Sequence, residues 1–191
     1  MKHYLEIRLL PDPEFAPMTL MNALYAKLHR ALVQLQSTDI GVSFPDYRLK
    51  EENFFKPQLG TRLRLHSTID RLQELMNTNW LRGMHDHIRI GRIYEVPSQP
   101  QYAIFRRAQV KSNAERIRRR HMRRHKVDYQ EALARIPDSV EKKLALPFLT
   151  FKSQSTEQMF RLYIKQEILE KPLPGDFNSY AISKAATVPL F

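Results

Sequence analysis

Two kinds of hydrophobic spacing alternate along the first half of the chain, and they limit its fold more than any other feature. Leu5, Ile7 and Leu9 alternate with polar residues, which is typical of a half-buried strand. Between Met18 and Gln36 the apolar residues instead recur at helical spacing. The predicted order is β-α-β-β-α-β, the ferredoxin-like unit, which does not by itself imply a function. The same two patterns predict its later elements, with strands at 40–44 and 62–66, a helix at 68–77 and a strand at 86–96.

The second half of the chain predicts a separate domain. The polar segment PSQPQ at 97–101 marks a boundary, so we predict a ferredoxin-like domain over 1–97 and a second domain over 98–191. The fold class is therefore α+β, and the C-terminal α+β domain contains an arginine-rich helix. Its predicted elements are a strand at 102–110, two helices between 112 and 137, strands at 148–152 and 159–165, and a loop with a short strand at 175–183.

Three helix starts are marked by capping boxes. In this pattern a Ser, Thr or Asp side chain accepts a hydrogen bond from the backbone three residues later, where an acidic residue often stands. The pairs are Ser67 with Asp70, Ser112 with Glu115, and Asp128 with Glu131.

The positive charge is concentrated in one segment. The 191 residues hold 31 Lys and Arg against 20 Asp and Glu, a formal net charge of +11. Residues 106–126 contain ten of these basic residues and one Glu, so the rest of the chain is almost neutral. On a helix, Arg116, Arg120 and Arg124 form one stripe, and Arg119 and Arg123 form a second. So many arginines with so little acid nearby favour nucleic-acid binding over a merely solvated surface, but they do not separate RNA from DNA.

Composition excludes several classes of protein. The chain has no Cys, which rules out a disulfide scaffold, thiolate zinc sites, iron–sulfur clusters and a Cys nucleophile. No apolar run is long enough to span a bilayer and the start lacks a signal-peptide pattern, so we expect a cytoplasmic protein with no membrane partner. The pairs His121 with His125 and His85 with His87 lack the features of a metal motif, and we predict no metal and no cofactor.

Several longer sequence blocks occur together and in order. They are HYLEIRLLPDPEF at 3–15, KLHRALV at 27–33, IGVSFP at 40–45, RAQVKSNAERIRRRHMRRH at 107–125, RIPD at 135–138, LPFLTFKSQST at 146–156, FRLYIK at 160–165, SYAISK at 179–184 and VPLF at 188–191. With these blocks the chain resembles the repeat-processing endoribonucleases of type I-F CRISPR systems over nearly its whole length, except at 46–60 and 166–178. His121, where an apolar residue is expected, and Ala114 depart from the family pattern.

The resemblance implies an activity and its partners. Members of this family cleave the CRISPR repeat transcript at the 3′ base of its stem-loop without a metal ion. The products carry a 5′-hydroxyl and a 2′,3′-cyclic phosphate. The enzyme remains on the hairpin of the mature crRNA and joins the other subunits of the type I-F surveillance complex.

The resemblance also implies which residues act, although spacing alone selects none of the catalytic three. The family's active histidine, serine and tyrosine fall on His29, Ser153 and Tyr180. We expect His29 to act as general base, Ser153 to orient the ribose 2′-OH, and Tyr180 to hold His29 in place. The expected RNA-binding residues are Arg107 and Gln109 for reading bases, Phe160 for stacking on the terminal base pair, and Arg116, Arg119, Arg120, Arg123, Arg124 and Ser155.

Two other hypotheses stay open at this point. The chain could be a non-catalytic module that binds an RNA hairpin with the same basic helix. A helix-turn-helix-like DNA-binding regulator is the third hypothesis, because arginines on a helix can bind the phosphates of either nucleic acid.

Overall fold

The protein is described from a computed structural model, which covers residues 1–49, 56–109, 114–137, 144–152 and 159–191. These residues form a mixed α+β structure with four helices and two antiparallel sheets of four strands each. They divide into two compact units, one made of residues 1–107 with 146–191 and the other of 108–145. The domain boundary at residues 97–98 stays a prediction. Among the residues described here, no helix is long and apolar enough to cross a bilayer.

The first sheet has the element order that the hydrophobic periodicity predicts. Its strands lie in the order β2-β3-β1-β4, and α1 and α2 follow β1 and β3 along the chain. The alternating side chains Leu5, Ile7 and Leu9 are buried, as predicted. The bounds are β1 His3–Leu9, α1 Pro17–Gln34, β2 Gly41–Ser43, β3 Arg62–Ser67, α2 Ile69–Asn77 and β4 Ile88–Glu95.

Helix α1 is the central element of the larger unit. Pro17 opens it, where a missing N–H costs nothing and the fixed φ suits the first turn. Its buried stripe, which includes Leu20, Leu24 and Leu28, enters the hydrophobic core. The helix packs against β1 of the first sheet and against strand β6, Phe148–Lys152, of the second. Residues on α1 are therefore held rigidly between strands from both halves of the sequence.

The second sheet corrects one predicted strand. Its strands lie in the order β6-β7-β5-β8, and β7 continues past the predicted end at residue 165. The short strand predicted within 175–183 is wrong, because that segment forms a turn in which Ala181 has a φ of +53°. The pairing with β5 is made further along, by residues 188–190. The bounds are β5 Gln101–Ala108, β6 Phe148–Lys152, β7 Met159–Leu169 and β8 Val188–Leu190.

The capping predictions have three different outcomes. The Ser67 cap is wrong, since Thr68 accepts the hydrogen bond from the Arg71 backbone N–H at 3.3 Å. Ser67 is the last residue of β3, and its hydroxyl donates to the Asp39 carbonyl at 2.8 Å. The Asp128 cap is confirmed, because its carboxylate accepts from the backbone N–H of Glu131 at 2.8 Å. The predicted Ser112 cap lies outside the described residues.

The smaller unit contains the arginine-rich helix. Helix α3 spans Ala114–His125 and α4 spans Tyr129–Arg135. Lys126, with a φ of +53°, ends α3 in the left-handed conformation that commonly closes a helix. The two helices pack against each other, and each has a small buried side chain, Ala114 on α3 and Ala132 on α4.

Candidate active site

The side chain of His29 is fixed by a hydrogen bond to a distant part of the chain. His29 is half-buried on α1, and its Nδ1 lies 2.8 Å from the backbone carbonyl oxygen of Ser179. A carbonyl oxygen can only accept, so Nδ1 must donate and must carry the proton. In the neutral ring Nε2 is therefore the nitrogen with the free lone pair. The backbone of Ser179 thus selects the tautomer in which His29 can accept a proton at Nε2.

Aromatic rings fix the plane of the His29 imidazole. The Tyr180 ring stacks on it with centroids 4.0 Å apart and an interplanar angle of 5°. Phe151, on β6, is in a T-shaped arrangement with both rings, with its centroid 6.5 Å from that of His29 and 5.5 Å from that of Tyr180. With one nitrogen bonded and one face covered, the imidazole has little freedom to rotate. Such restraint is what a positioned proton acceptor requires.

The turn that holds His29 is itself held by Tyr25. The Tyr25 hydroxyl donates to the Tyr180 carbonyl oxygen at 2.6 Å, and the Tyr25 side chain is fully buried. Burial raises the pKa of the Tyr25 phenol, and the nearby Tyr180 raises it further, so the group stays a protonated donor. Tyr25 and His29 are four residues apart on α1 and so lie on one face. This i,i+4 spacing is the sequence signal that could have found Tyr25, which the sequence analysis missed.

The rest of the turn is stabilised by its own side chains and by β2. The Asn178 side-chain oxygen accepts from the Tyr180 backbone N–H at 2.8 Å, and the Ala181 N–H donates to the Asn178 carbonyl at 2.7 Å. The backbone N–H of Val42 donates to the Ala181 carbonyl at 3.0 Å. Ala181 adopts the left-handed backbone conformation, which is uncommon for a residue other than glycine. These bonds compensate for that strain and make the Ser179 carbonyl a fixed acceptor.

The predicted catalytic residues are brought together only in part. The structure places His29 and Tyr180 in direct contact, although they are 151 positions apart in the sequence. Ser153, the third predicted catalytic residue, and Ser155 lie outside the described residues. Phe151, which contacts both His29 and Tyr180, is two residues before Ser153 in the sequence.

The predicted base-reading and stacking residues lie at the ends of strands. Phe160 is half-buried on β7 and stacks on Phe151 at 5.5 Å with an interplanar angle of 22°, so it joins the aromatic cluster around His29. Arg107 is exposed near the end of β5, and its neighbour Arg106 is paired with Glu167 at 2.7 Å. Gln109 is exposed and belongs to the smaller unit.

Exposure separates the arginines of α3 into two groups. Arg118 is only 4% exposed, and its Nε donates to the carbonyl oxygen of Ile136 at 2.8 Å. It therefore holds the segment after α4 against α3, a structural role that the sequence did not predict. Arg119, by contrast, is 72% exposed even though it pairs with Glu115 at 3.2 Å. The five arginines predicted to bind nucleic acid are all exposed: Arg116, Arg119, Arg120, Arg123 and Arg124.

The two histidines of α3 lie close together, but in the part of the chain that the structure describes they have no further ligand with which to bind a metal ion. His121 and His125 lie with ring centroids 4.4 Å apart, as their i,i+4 spacing requires. The described residues contain no group of three or more His, Asp or Glu side chains that could hold a metal ion.

The fold and the site define a basic α+β protein with a positioned histidine and a separate arginine-rich helix. The sequence profile of a family described as CRISPR-associated protein (Cas_Csy4) matches residues 4–191. The chain therefore belongs to the Cas_Csy4 family of CRISPR-associated proteins, which confirms the resemblance to that family.

Two curated relatives match this chain over its whole length. The CRISPR-associated endonuclease Cas6/Csy4 of Pseudomonas aeruginosa (strain UCBPP-PA14) is 48% identical over 192 residues, with all of both chains covered. The CRISPR-associated endonuclease Cas6/Csy4 of Escherichia coli (strain UTI89 / UPEC) is 41% identical over the same span. A solved structure described as an RAMP protein binding different RNA substrates covers 98% of this chain and 99% of its own. Its TM-score is 0.34 at 10% identity, too low to bear on fold or function.

Proposed function

We propose that this chain is an endoribonuclease that binds the CRISPR repeat stem-loop and cleaves at its 3′ base without a metal ion. The observation that carries the proposal is the geometry of His29, whose Nδ1 proton is committed to the Ser179 carbonyl while Nε2 is left to accept a proton. Full-length identity of 41–48% to proteins named CRISPR-associated endonucleases supports the substrate class. We expect the enzyme to act in the cytoplasm, because the transcript that it processes is there.

The reaction requires one proton acceptor and no enzyme nucleophile. His29 Nε2 takes the proton of the ribose 2′-OH, and the 2′ oxygen forms a bond to the adjacent phosphorus. The bond from phosphorus to the 5′ oxygen breaks, and that oxygen takes up a proton to become a 5′-hydroxyl. The other product ends in a 2′,3′-cyclic phosphate. Ser153 orients the 2′-OH, and Tyr180 holds the imidazole by stacking on its face.

We assign RNA binding to residues other than His29 and Tyr180. The exposed arginines of α3 bind phosphates, since a planar guanidinium can contact two phosphate oxygens at once. Arg107 and Gln109 read the lower base pairs, Arg with G and Gln with A. Phe160 stacks on the terminal base pair, and Ser155 contributes a further contact. After cleavage the enzyme stays on the crRNA hairpin and joins the other subunits of the type I-F surveillance complex.

One assay separates this proposal from the alternatives. Purified protein is incubated with repeat hairpin RNA in excess EDTA, together with a His29→Ala variant and a His85→Ala control from an exposed position outside the site. The proposal requires cleavage by the wild type and the control, loss of cleavage by His29→Ala, and no cleavage of RNA with a 2′-deoxyribose at the cut site. Binding without cleavage by any of the three would favour the non-catalytic module. Duplex DNA bound as tightly as the hairpin would favour the DNA-binding regulator.

A further inference from the structure

The first sheet carries a row of arginines beside two tyrosines on the face opposite its buried leucines. Strand side chains alternate, so the residues between Leu5, Ile7 and Leu9 point to this second face. The register places Arg62 of β3 and Arg89 of β4 on either side of Arg8, and it places Tyr94 of β4 opposite Tyr4 of β1. We call this surface the arginine–tyrosine face; its residues are Tyr4, Glu6, Arg8, Arg62, Arg64, Arg89 and Tyr94.

The arginines of this face are not fully neutralised. Arg62 is closely paired with Asp46, at 2.5 Å. The carboxylate of Glu6 bonds to Arg64 at 2.7 Å and lies 3.5 Å from Arg8, which is 56% exposed. The Arg89 side chain makes no ion pair with any residue that the structure describes.

Like charges on directly opposite strand positions destabilise a sheet. A row of three arginines is therefore an arrangement that folding alone does not favour. An anionic ligand would remove the repulsion between Arg8 and Arg89, whose charges are the least compensated of the row.

A groove lies between the arginines and the tyrosines. It has a volume of about 380 Å³, and Arg8, Arg89, Gly91 and Tyr94 are among its lining residues. Gly91 contributes no side chain, and a Cβ there would lie 3.1 Å from the backbone carbonyl oxygen of Glu6. A side chain at Gly91 would therefore crowd the backbone of β1, which explains the glycine in this part of the groove wall. The volume is within the range of clefts that hold small ligands.

The tyrosines supply flat surfaces at this groove. Tyr94 is 53% exposed, and its ring lies 6.0 Å from that of Tyr4. Tyr4 already has other neighbours, because Phe191 packs against it in a T-shaped arrangement at 4.8 Å and the Arg64 guanidinium lies 5.3 Å from its ring centroid. Tyr94 is thus the open platform and Tyr4 supports it. Exposed aromatic rings stack on nucleobases, whereas an acidic peptide would pair with the arginines and make no use of the aromatic rings. The combination therefore favours a nucleic acid.

We propose that the arginine–tyrosine face binds single-stranded RNA, with a base stacked on Tyr94 and its phosphates held by Arg8 and Arg89. The sheet order β2-β3-β1-β4 is that of a four-stranded βαββαβ sheet, an architecture on which other proteins stack single-stranded bases against aromatic side chains. The identity of this RNA rests on the proposed function: we take the ligand to be the part of the repeat transcript that flanks the hairpin.

The first test measures what a single-stranded tail adds to hairpin binding. Hairpins with a 2′-deoxyribose at the cut site are compared by fluorescence anisotropy, bare and with a 5′ or a 3′ tail of about ten nucleotides. A site of this kind spans several nucleotides. The wild type should bind one tailed hairpin about tenfold more tightly than the bare one, as expected for one stacked base. Arg8→Ala/Arg89→Ala and Tyr94→Ala should lose this gain and keep the bare-hairpin affinity and the cleavage rate.

A matched control tests whether charge alone explains the result. Arg82→Ala/Lys171→Ala removes the same number of exposed positive charges elsewhere in the larger unit and should keep the tail-dependent gain. The proposal is overturned if neither tail tightens wild-type binding, or if Arg8→Ala/Arg89→Ala keeps the full gain. Competition by polyglutamate, but not by oligouridylate, would identify an acidic protein partner and overturn it too.

A second readout is independent of hairpin recognition and cleavage. Single-stranded RNA containing 4-thiouridine is crosslinked to the full chain and the modified peptide is identified by mass spectrometry. Crosslinks to the peptide that contains Tyr94 support the proposal even if the repeat hairpin is not cleaved. Crosslinks confined to other peptides contradict it even if cleavage is normal.

Discussion

Removing the Tyr25 hydroxyl should lower both the stability of the fold and the rate of cleavage, because this hydroxyl holds the turn that positions His29. Tyr25→Phe keeps the ring, which stacks near Phe44 at 5.8 Å, and deletes only the group that donates to the Tyr180 carbonyl. Leaving a carbonyl without its partner in a buried site costs about 1–3 kcal/mol. We expect a fall of that size in the free energy of unfolding, measured by urea denaturation. We also expect the Ser179–Tyr180 turn to shift, because Tyr180 loses its bond to α1.

The shift should lower the rate of the chemical step. A displacement of about 1 Å at a catalytic group can reduce a rate about 100-fold, and a partial displacement should cost about tenfold. The assay is single-turnover cleavage of the repeat hairpin at saturating protein, which reports the chemical step rather than RNA binding. The hairpin dissociation constant should be unchanged.

Tyr47→Phe provides the matched control for this prediction. The Tyr47 hydroxyl donates to the Ile164 carbonyl at 3.1 Å in the same unit, and this bond too joins residues far apart in the sequence. Its loss should destabilise the fold by about 1 kcal/mol and leave the cleavage rate unchanged. If Tyr25→Phe cleaves as fast as Tyr47→Phe at comparable stability, Tyr25 does not position the active site and this reasoning is refuted.

Three further predictions concern stability and RNA affinity. Burial, reinforced by the charge of Arg64, lowers the pKa of His66 to about 3. Between that pH and about pH 6.5 the unfolded chain binds a proton at His66 that the folded protein does not, so the free energy of unfolding falls as the pH falls through this window. The free energy of unfolding should drop by about 1 kcal/mol from pH 7.5 to pH 5.5, and this slope should vanish in His66→Gln and persist in His125→Gln. Arg118→Ala should lower the helix content of the smaller unit, seen by circular dichroism, because the Ile136 carbonyl loses its donor; unchanged helicity would contradict the structural role. Arg120→Ala should leave helicity intact, weaken hairpin binding and reduce the slope of log affinity against log salt by about 1, whereas an unchanged slope would mean that Arg120 contacts no phosphate.

The elements of the first sheet could be predicted because their signals are local. Alternation at Leu5, Ile7 and Leu9 reports burial on one face, and the spacing along α1 reports a helical stripe. The cap of α2 is off by one residue because Ser67 and Thr68 are both good capping residues. The choice is made by tertiary structure, since the Ser67 hydroxyl is used by the distant Asp39 carbonyl.

The candidate site could not be derived from spacing, because its parts come from distant segments. Nothing near His29 in the sequence indicates that the Ser179 carbonyl will bond to it or that Tyr180 will stack on it. The family resemblance selected these residues, and the fold shows the contacts between them. The buried Arg118 is a second example, because it stands in one run with the exposed Arg119 and Arg120 and its contact with the distant Ile136 carbonyl could not be derived from that run.

The nitrogen chemical shifts of the His29 ring test the central claim most directly. The claim is that the Ser179 carbonyl holds the proton on Nδ1 and leaves Nε2 free to accept one. In 15N-labelled protein above the pH at which imidazoles titrate, the account predicts a protonated Nδ1 and an unprotonated Nε2 for His29, with Tyr25→Phe shifting the tautomer balance. A neutral ring protonated at Nε2 would contradict the account, because that nitrogen could not then take the proton of the 2′-OH.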